Sequence, residues 1–115
     1  MTANPVVDWG AHPVRAPVAG VQAWQLETPR VTMALYELEP GVQVPEHTHE
    51  GDEVGLVIAG TLEVSVDGQP SLVREGQTFL IPRGAPHAAR TTDTACRLFE
   101  CYAPRRSADL REGQV

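Results

Sequence analysis

The chain reads GVQVPEHTHEGDEVGLVIAG over residues 41–60, and this stretch decides how the rest of the sequence is interpreted. It places His47, His49 and Glu53 close together, and a further histidine, His87, follows downstream. Imidazole nitrogens and carboxylate oxygens are the protein ligands of zinc, iron, manganese, nickel and copper. Side chains two residues apart point to the same face of a β-strand, whereas on a helix they diverge. The spacing of the two histidines therefore predicts a strand and a metal site together.

Length and composition favour one small globular domain. The chain has 115 residues, 42% of them hydrophobic, and a formal net charge of −6. A chain of this length forms a single domain, and its ordinary apolar content argues against disorder. The negative charge argues against nucleic acid and anionic membranes as partners, although local arginines can still bind an acidic substrate. All nine basic side chains are arginine, so Schiff-base chemistry at a lysine is excluded.

Targeting and redox signals favour the cytoplasm. The start of the chain has no basic segment followed by an apolar one, so no signal peptide is predicted. No apolar run approaches the length of a transmembrane span. A cytoplasmic location follows as the default expectation. Cys96 and Cys101 would face opposite sides of one strand, and we expect both to be free, buried thiols.

The pattern of apolar residues predicts an all-β domain behind an extended arm. Residues 1–20 contain several prolines and are predicted as the arm, and residues 21–115 as a single β-barrel domain. Turn signals such as Asp67-Gly68 separate short runs of β-branched and apolar residues. This series implies an antiparallel sandwich or barrel. The predicted strands cover residues 22–27, 31–39, 53–59, 61–66, 72–74, 78–81, 87–91 and 95–102, and a short turn is expected at 107–111.

Two stretches of the chain resemble the two sequence motifs of the cupin family. The first motif is matched at every position by Gly41-(x)5-His47-x-His49-(x)3-Glu53-(x)6-Gly60. The second is matched by Gly76-(x)5-Pro82-x-Gly84-(x)2-His87. The family usually has a structural asparagine at the position of Thr91. The resemblance implies a double-stranded β-helix, or jelly roll.

The same resemblance implies a metal site in the mouth of the barrel. It assigns one divalent transition metal ion to four ligands, His47, His49, Glu53 and His87. Zinc, nickel, manganese, iron and copper all suit such a set, and the sequence does not choose among them. For Glu53 the alternative to ligation is a role as a nearby base.

The last predicted strand resembles a narrower group of cupins, which open the ring of 4,5-unsaturated uronates in pectin and alginate breakdown. Their signature, acidic-x-aromatic-(x)3-Arg, falls here on Glu100, Tyr102 and Arg106. The resemblance implies that these three are catalytic: Glu100 and Tyr102 would move a proton, and Arg106 would bind a substrate carboxylate. That group usually has Asp, Phe and, as the fourth metal ligand, Gln, where this chain has Glu100, Tyr102 and Glu53.

Purely structural roles are the alternative for the residues at the end of the chain. A carboxylate that faces a barrel interior is costly unless it is paired, and Glu100 would then pair with Arg97 or Arg106. Tyr102 would be a residue of the core. Arg106 would be a solvated charge.

Three functions are compatible with these residues. The first is metal-assisted isomerisation or ring opening of a small carbohydrate-derived acid, such as an unsaturated uronate. The second is a metal-dependent dioxygenase or oxalate-type cupin, because three histidines and a glutamate resemble those proteins more than the glutamine-bearing isomerases. The third is a non-catalytic cupin that binds a small molecule. A small-molecule ligand is expected in each case, with neither nucleic acid nor a membrane as partner, and small cupins suggest a homodimer.

Overall fold

Alternating apolar runs between tight turns form eight β-strands in the computed structural model, which describes residues 4–105. The strands are β1 (Val21–Glu27), β2 (Thr32–Leu38), β3 (Gln43–His47), β4 (Asp52–Val66), β5 (Gln69–Arg74), β6 (Thr78–Ile81), β7 (His87–Arg90) and β8 (Cys96–Ala103). Within this part of the chain, the one helical segment is a three-residue 3-10 turn at Trp9–Ala11. No helix among these residues is long and apolar enough to cross a membrane. The predicted all-β class is confirmed.

Strand β4 belongs to both layers of the barrel. One layer contains β1, β2, β8, the first half of β4 and β6, and the other contains β3, β7, the second half of β4 and β5. The register of β4 against β8 shifts between Val57 and Ala59. Gly60 follows with φ at 78°, and a Cβ there would overlap the carbonyl oxygen of Ala95. Only glycine fits where the strand passes between layers, and the resulting curled sheet is the predicted jelly roll.

Two strands differ from the prediction. The sequence predicts a break at Gly60, but β4 runs unbroken because the glycine allows pairing to continue through the bend. The histidine spacing predicts a strand at His47 and His49, but β3 covers residues 43–47, so it begins earlier than predicted, contains Pro45 and ends before His49. Proline lacks the backbone N–H that a central strand needs, and β3 lies at the end of the strand order, where that loss is tolerated.

The two layers enclose an apolar core that closes the barrel below its mouth. Among its largest fully buried side chains are Tyr36, Tyr102, Leu62, Leu98 and Val57. Thr91 ties the far end of β7 to the loop before β3. Its hydroxyl donates to the Glu39 carbonyl oxygen at 2.6 Å and accepts from the Val42 N–H at 2.9 Å. A threonine thus performs a structural role where the family usually has asparagine.

The N-terminal segment lies along β1 of its own chain. Arg15 and Ala23 exchange two backbone hydrogen bonds of 2.8 Å. His12 Nε2 donates to the Gln25 carbonyl oxygen at 2.7 Å. These contacts cover part of the outer edge of β1. Val6 and Val14 nevertheless remain exposed.

The two cysteines lie on opposite faces of β8, and both thiols are free as expected. Cys96 faces the interior, where burial and then the negative charge of Glu100 raise the pKa of its thiol to about 11. Cys101 is half-buried on the outer face, whereas the sequence predicts a buried thiol there. Since the thiolate is the reactive form, Cys96 is chemically inert at neutral pH.

Candidate metal centre

Three histidines converge where β3 and β7 meet. His47 is the last residue of β3, and it lies opposite His87, the first residue of β7. His49 lies beyond the end of β3, so the predicted strand carries only the first histidine of the pair. One nitrogen from each ring lies within 4.8 Å of those from the other two. The ring centroids of His47 and His87 are 4.2 Å apart, and those of His49 and His87 are 4.7 Å apart.

Each of these rings is oriented by a backbone carbonyl close to it in sequence. A carbonyl oxygen can only accept, so each Nδ1 is the hydrogen-bond donor. When such a ring is neutral, its Nε2 therefore keeps a lone pair for a metal ion. The three contacts are His47 Nδ1 to Pro45 O at 2.9 Å, His49 Nδ1 to Gly51 O at 3.3 Å and His87 Nδ1 to Ala85 O at 3.0 Å.

Glu53 brings a carboxylate to the same cluster. Its Oε1 lies 2.7 Å from His49 Nε2 and 3.5 Å from His87 Nε2, and the residue is 2% exposed. Burial alone would raise the pKa of Glu53. The hydrogen bonds with His49 and Glu100, together with the nearby His87 ring, outweigh burial, and the pKa of Glu53 lies well below its usual range. Glu53 is therefore an anion at neutral pH.

The donor set fits a divalent transition metal ion. Three imidazoles and one carboxylate can bind zinc, nickel, manganese, iron or copper. The three-histidine cluster that could hold the ion is the part of the predicted site that the structure brings together most directly. Glu53 lies against this cluster, and the backbone carbonyls supply the outer partners that ligand histidines usually have.

Glu100 and Tyr102 line the interior wall beside Glu53. Strand β8 alternates so that both residues face inward and are buried. Glu53 lies opposite Tyr102 across the β4–β8 pair. Glu100 is hydrogen-bonded to Glu53, and it accepts a short hydrogen bond from the Tyr102 hydroxyl. The two carboxyl groups and the Tyr102 hydroxyl thus form one buried polar group beside the histidines.

The arginines have different positions. Arg97 points to the outer face of β8, where its Nε lies 3.5 Å from Glu37 Oε1, so it is not the partner that the sequence allows for Glu100. Arg105 is exposed, and its Nη1 lies 3.4 Å from Glu27 Oε2. Arg106, the predicted carboxylate-binding residue, and the predicted turn at 107–111 lie outside the described residues.

Tyr36 is the residue of this site that sequence reasoning missed. It lies on β2, and its hydroxyl is 3.0 Å from that of Tyr102. Since the Tyr102 hydroxyl donates to Glu100, Tyr36 is the donor to Tyr102. Strand β2 is apolar on both faces, so periodicity does not show which residues point inward. The available signal was composition: Tyr36 and Tyr102 are the two tyrosines of the chain.

A small cavity of about 20 Å³ lies behind the histidine cluster. This volume holds about one water molecule. His47, Glu53, His87 and Glu100 line one end, and the rest of the wall is apolar, from Leu38, Val44, Leu62, Val64, Phe79, Ile81, Ala88, Ala89 and Leu98. A sugar-sized molecule does not fit inside. It would reach the cluster from the mouth, where His47 and His49 are partly exposed.

Comparison with solved structures identifies the same barrel. KdgF from Halomonas sp. matches with a TM-score of 0.83 and 23% identity, over 95% of this chain and 100% of that chain. An RmlC-like cupin from Shewanella frigidimarina NCIMB 400 matches with a TM-score of 0.82 and 20% identity, over 91% of this chain and 95% of that one. At these identities the likeness shows the fold alone.

Sequence relatives match only in part. The HTH-type transcriptional regulator PuuR of Escherichia coli (strain K12) is 30% identical over 76 residues, which are 64% of this chain and 41% of PuuR. Protein SchB of Streptomyces halstedii is 38% identical over 74 residues, or 63% of this chain and 54% of SchB. Oxalate oxidase 2 of Hordeum vulgare is 38% identical over 66 residues, or 50% of this chain and 30% of that protein. This chain thus spans about half or less of these relatives.

The family itself is established by a longer match. The family model described as Cupin domain matches residues 34–102, which include both motifs and the whole predicted metal site. This is more than half of the chain, and it covers the strands that hold the histidines. The chain therefore belongs to the cupin family.

Proposed function

We propose that this cupin is a metal-dependent enzyme that isomerises, or opens the ring of, a small carbohydrate-derived acid such as an unsaturated uronate. The observation that carries the proposal is the placement of Glu100. Its carboxyl group is buried beside the histidine cluster and hydrogen-bonded to both Glu53 and Tyr102. Isomerisation requires a proton to be moved, and a purely steric pocket needs no such group.

The ligands proposed for the ion are His47, His49, Glu53 and His87. A divalent ion held there supplies Lewis acidity to hydroxyl or keto oxygens of a substrate. This chemistry involves no change of oxidation state, so zinc or nickel is sufficient. The apolar wall behind the cluster limits the water that can reach it.

The other proposed roles belong to side chains around the cluster. Glu100 exchanges a proton with the substrate from its buried position beside the histidines. Tyr102 was expected to donate or accept a proton directly. It is fully buried, which favours a role in holding Glu100. Arg106 remains the proposed partner of the substrate carboxylate.

The test is an activity assay with a matched variant. The metal-loaded protein is mixed with 4,5-unsaturated galacturonate, and loss of the ring form is followed by NMR. We expect turnover above the buffer blank, and a loss of about a hundredfold or more in Glu100→Gln. Glu63→Gln is the control, because it makes the same change at a carboxylate on β4 that is paired with Arg90 on the surface. A wild-type rate equal to the blank rejects the proposal.

A dioxygenase or oxalate-type activity is the second candidate, and Glu53 is the observation that favours it. A ligand set of three histidines and a carboxylate also suits iron, manganese and copper. Oxalate oxidase 2 is among the sequence relatives, although this chain covers 30% of it. Oxygen-electrode traces of each metal form with oxalate and a catechol would decide. Flat traces in every form would exclude this candidate.

A binding-only role is the third candidate. It draws support from PuuR, whose name makes it a transcriptional regulator, and which matches this chain over part of its length. Affinity for a small acid without turnover, unchanged in Glu100→Gln, would favour this role. Neither nucleic acid nor a membrane is proposed as a partner of this chain, and a cytoplasmic location stays a prediction.

The expected homodimer also stays a proposal, and an apolar patch on the outer face of β4 and β6 supports it. Val54, Leu56, Ile58 and Leu80 are each 39–69% exposed there. Contiguous exposed apolar side chains mark interaction surfaces. The four side chains carry no charge, so two copies can meet about a two-fold axis without repulsion. A second copy is therefore the proposed occupant.

A further inference from the structure

We infer that Tyr36 is a positioning residue, whose hydroxyl acts through Tyr102 to fix the Glu100 carboxyl against Glu53. The catalytic consequence of this inference rests on the proposed function. The contacts themselves do not, and they can be tested without a substrate.

The inference begins with a directed series of hydrogen bonds. The Tyr36 hydroxyl lies 3.0 Å from the Tyr102 hydroxyl, which in turn donates to Glu100 Oε1. Glu100 is hydrogen-bonded to Glu53. The series crosses three neighbouring strands, from β2 through β8 to β4, and ends at a proposed metal ligand. Such series strengthen one another in a low-dielectric interior.

The residues of this series of hydrogen bonds are buried. Tyr36 and Tyr102 are both 0% exposed, and Glu100 is 4% exposed. A glutamate side chain has several rotatable bonds, so its carboxyl needs a fixed partner to keep one orientation. The Tyr102 hydroxyl is such a partner, and its own rotation is restrained by the hydrogen bond from Tyr36. Bulk water does not reach this point to replace a missing donor.

A role in core packing alone is the competing explanation, because Tyr36 also fills space in the barrel. Tyr36→Phe separates the two roles, since it keeps the ring and removes only the hydroxyl. Thr91→Val is the matched control. It removes another buried hydroxyl with two hydrogen bonds, to Glu39 and Val42, at the opposite end of β7 from His87.

The decisive measurement uses the two tyrosines of the chain as reporters. Protein labelled with ¹³C at tyrosine Cζ should give two resonances, because Tyr36 and Tyr102 are the only tyrosines in the sequence. Tyr36→Phe assigns the remaining resonance to Tyr102, and we expect it to shift from its wild-type position. Glu100→Gln should shift the Tyr102 resonance with both tyrosines intact. Thr91→Val should leave both resonances in place.

Kinetics then test the catalytic consequence. With the metal content matched, we expect Tyr36→Phe to lower kcat about tenfold while KM stays within about twofold, as for other residues that orient an active group. A Tyr102 resonance that does not move in Tyr36→Phe overturns the inference, whatever the activity. A shifted resonance with unchanged kcat overturns the catalytic role of Tyr36. A shifted resonance in a wild-type protein without uronate turnover supports the positioning contact and rejects the proposed reaction.

Discussion

The inner and outer faces of β4 and β8 reverse the usual distribution of polar and apolar side chains. On the inner face Glu53, Glu100 and Tyr102 are buried, whereas on the outer face Val54 and Leu56 are exposed. Globular proteins normally bury the second kind and expose the first. Burying carboxyl groups costs free energy unless they are hydrogen-bonded, and here they bond one another and the histidines. The inner face thus fits the proposed metal site, and the outer face fits the proposed contact with a second copy.

The largest effect is expected on metal affinity, when one of the proposed ligands on the inner face is removed. His87→Ala should weaken binding of zinc or nickel by about a hundredfold to a thousandfold, because binding energies of roughly 10–16 kcal/mol in four-ligand sites are shared among the ligands. Competitive titration with a chelator measures the change. His12→Ala is the control, since His12 is the one histidine outside the cluster. Equal affinity in the two variants would show that the ion does not bind at this cluster.

The next largest effect is expected on dimer formation, when the apolar patch on the outer face is changed. We expect light scattering to give a wild-type mass near twice 12.5 kDa, and Leu80→Asp to weaken the dimer about a hundredfold or more. A two-fold interface loses the same leucine from both copies, at about 1.5–3 kcal/mol for each. In Leu80→Asp, thiol labelling of Cys101 should also be faster than in the wild type, because Cys101 is half-buried on the outer face of β8. Cys96 should stay unreactive in both proteins.

Leu72→Asp is the control for this experiment. Leu72 is an exposed leucine on β5, in the other layer of the barrel, so it should leave the dimer intact. A wild-type protein with the mass of one chain would refute the dimer. An effect of the same size in both variants would refute the position of the interface.

The smallest effect is expected on the pH dependence of folding stability, and it comes from Glu53 on the inner face. The folded-state pKa of Glu53 lies below its ordinary value of 4.5, so below pH 4.5 the unfolded chain takes up a proton that the folded chain does not. The stability that Glu53 contributes is complete above that pH and is lost as the pH falls through the folded-state pKa. Glu53→Gln should flatten the stability curve of the metal-free protein by up to about 1.4 kcal/mol per pH unit.

Denaturant unfolding between pH 3 and pH 7 would measure this difference for metal-free wild type and Glu53→Gln. Glu63→Gln, which makes the same change at a half-buried carboxylate of the same strand, is the control. Parallel curves for wild type and Glu53→Gln would contradict the lowered pKa of Glu53.

The inner face was more predictable from sequence than the outer one. His47, His49 and His87 could be recognised as candidate metal ligands from their residue type and spacing. The alternation of Glu100 and Tyr102 along one strand indicates that both side chains point to the same face. Tyr36 could not be found in this way, because both faces of β2 are apolar. Its role depends on the pairing of β2 with β8, which is a contact between residues distant in sequence.

The outer patch was missed for a related reason. Val54, Leu56 and Ile58 alternate with buried residues along β4, so the strand is apolar on both sides and the pattern does not show which side is exposed. The histidine spacing indicated a strand at His47, but the start of β3 was missed because Pro45 argues against a strand, and only the place of β3 at the end of the strand order makes proline acceptable. In each case the structure of the segment depends on residues that are near it in space but distant in sequence.

The carbonyl partners of the three clustered histidines have an evolutionary consequence. Each ring is oriented by a peptide carbonyl two residues away in sequence. Its orientation therefore depends on a three-residue segment and not on the whole barrel. The hairpin between the two motifs has room at its tip, where a Cβ on Gly68 would meet nothing within 4 Å, but Asp67 beside it donates its N–H to the Pro86 carbonyl oxygen next to His87. Insertions at that tip would therefore leave intact the tripeptides that orient the three rings.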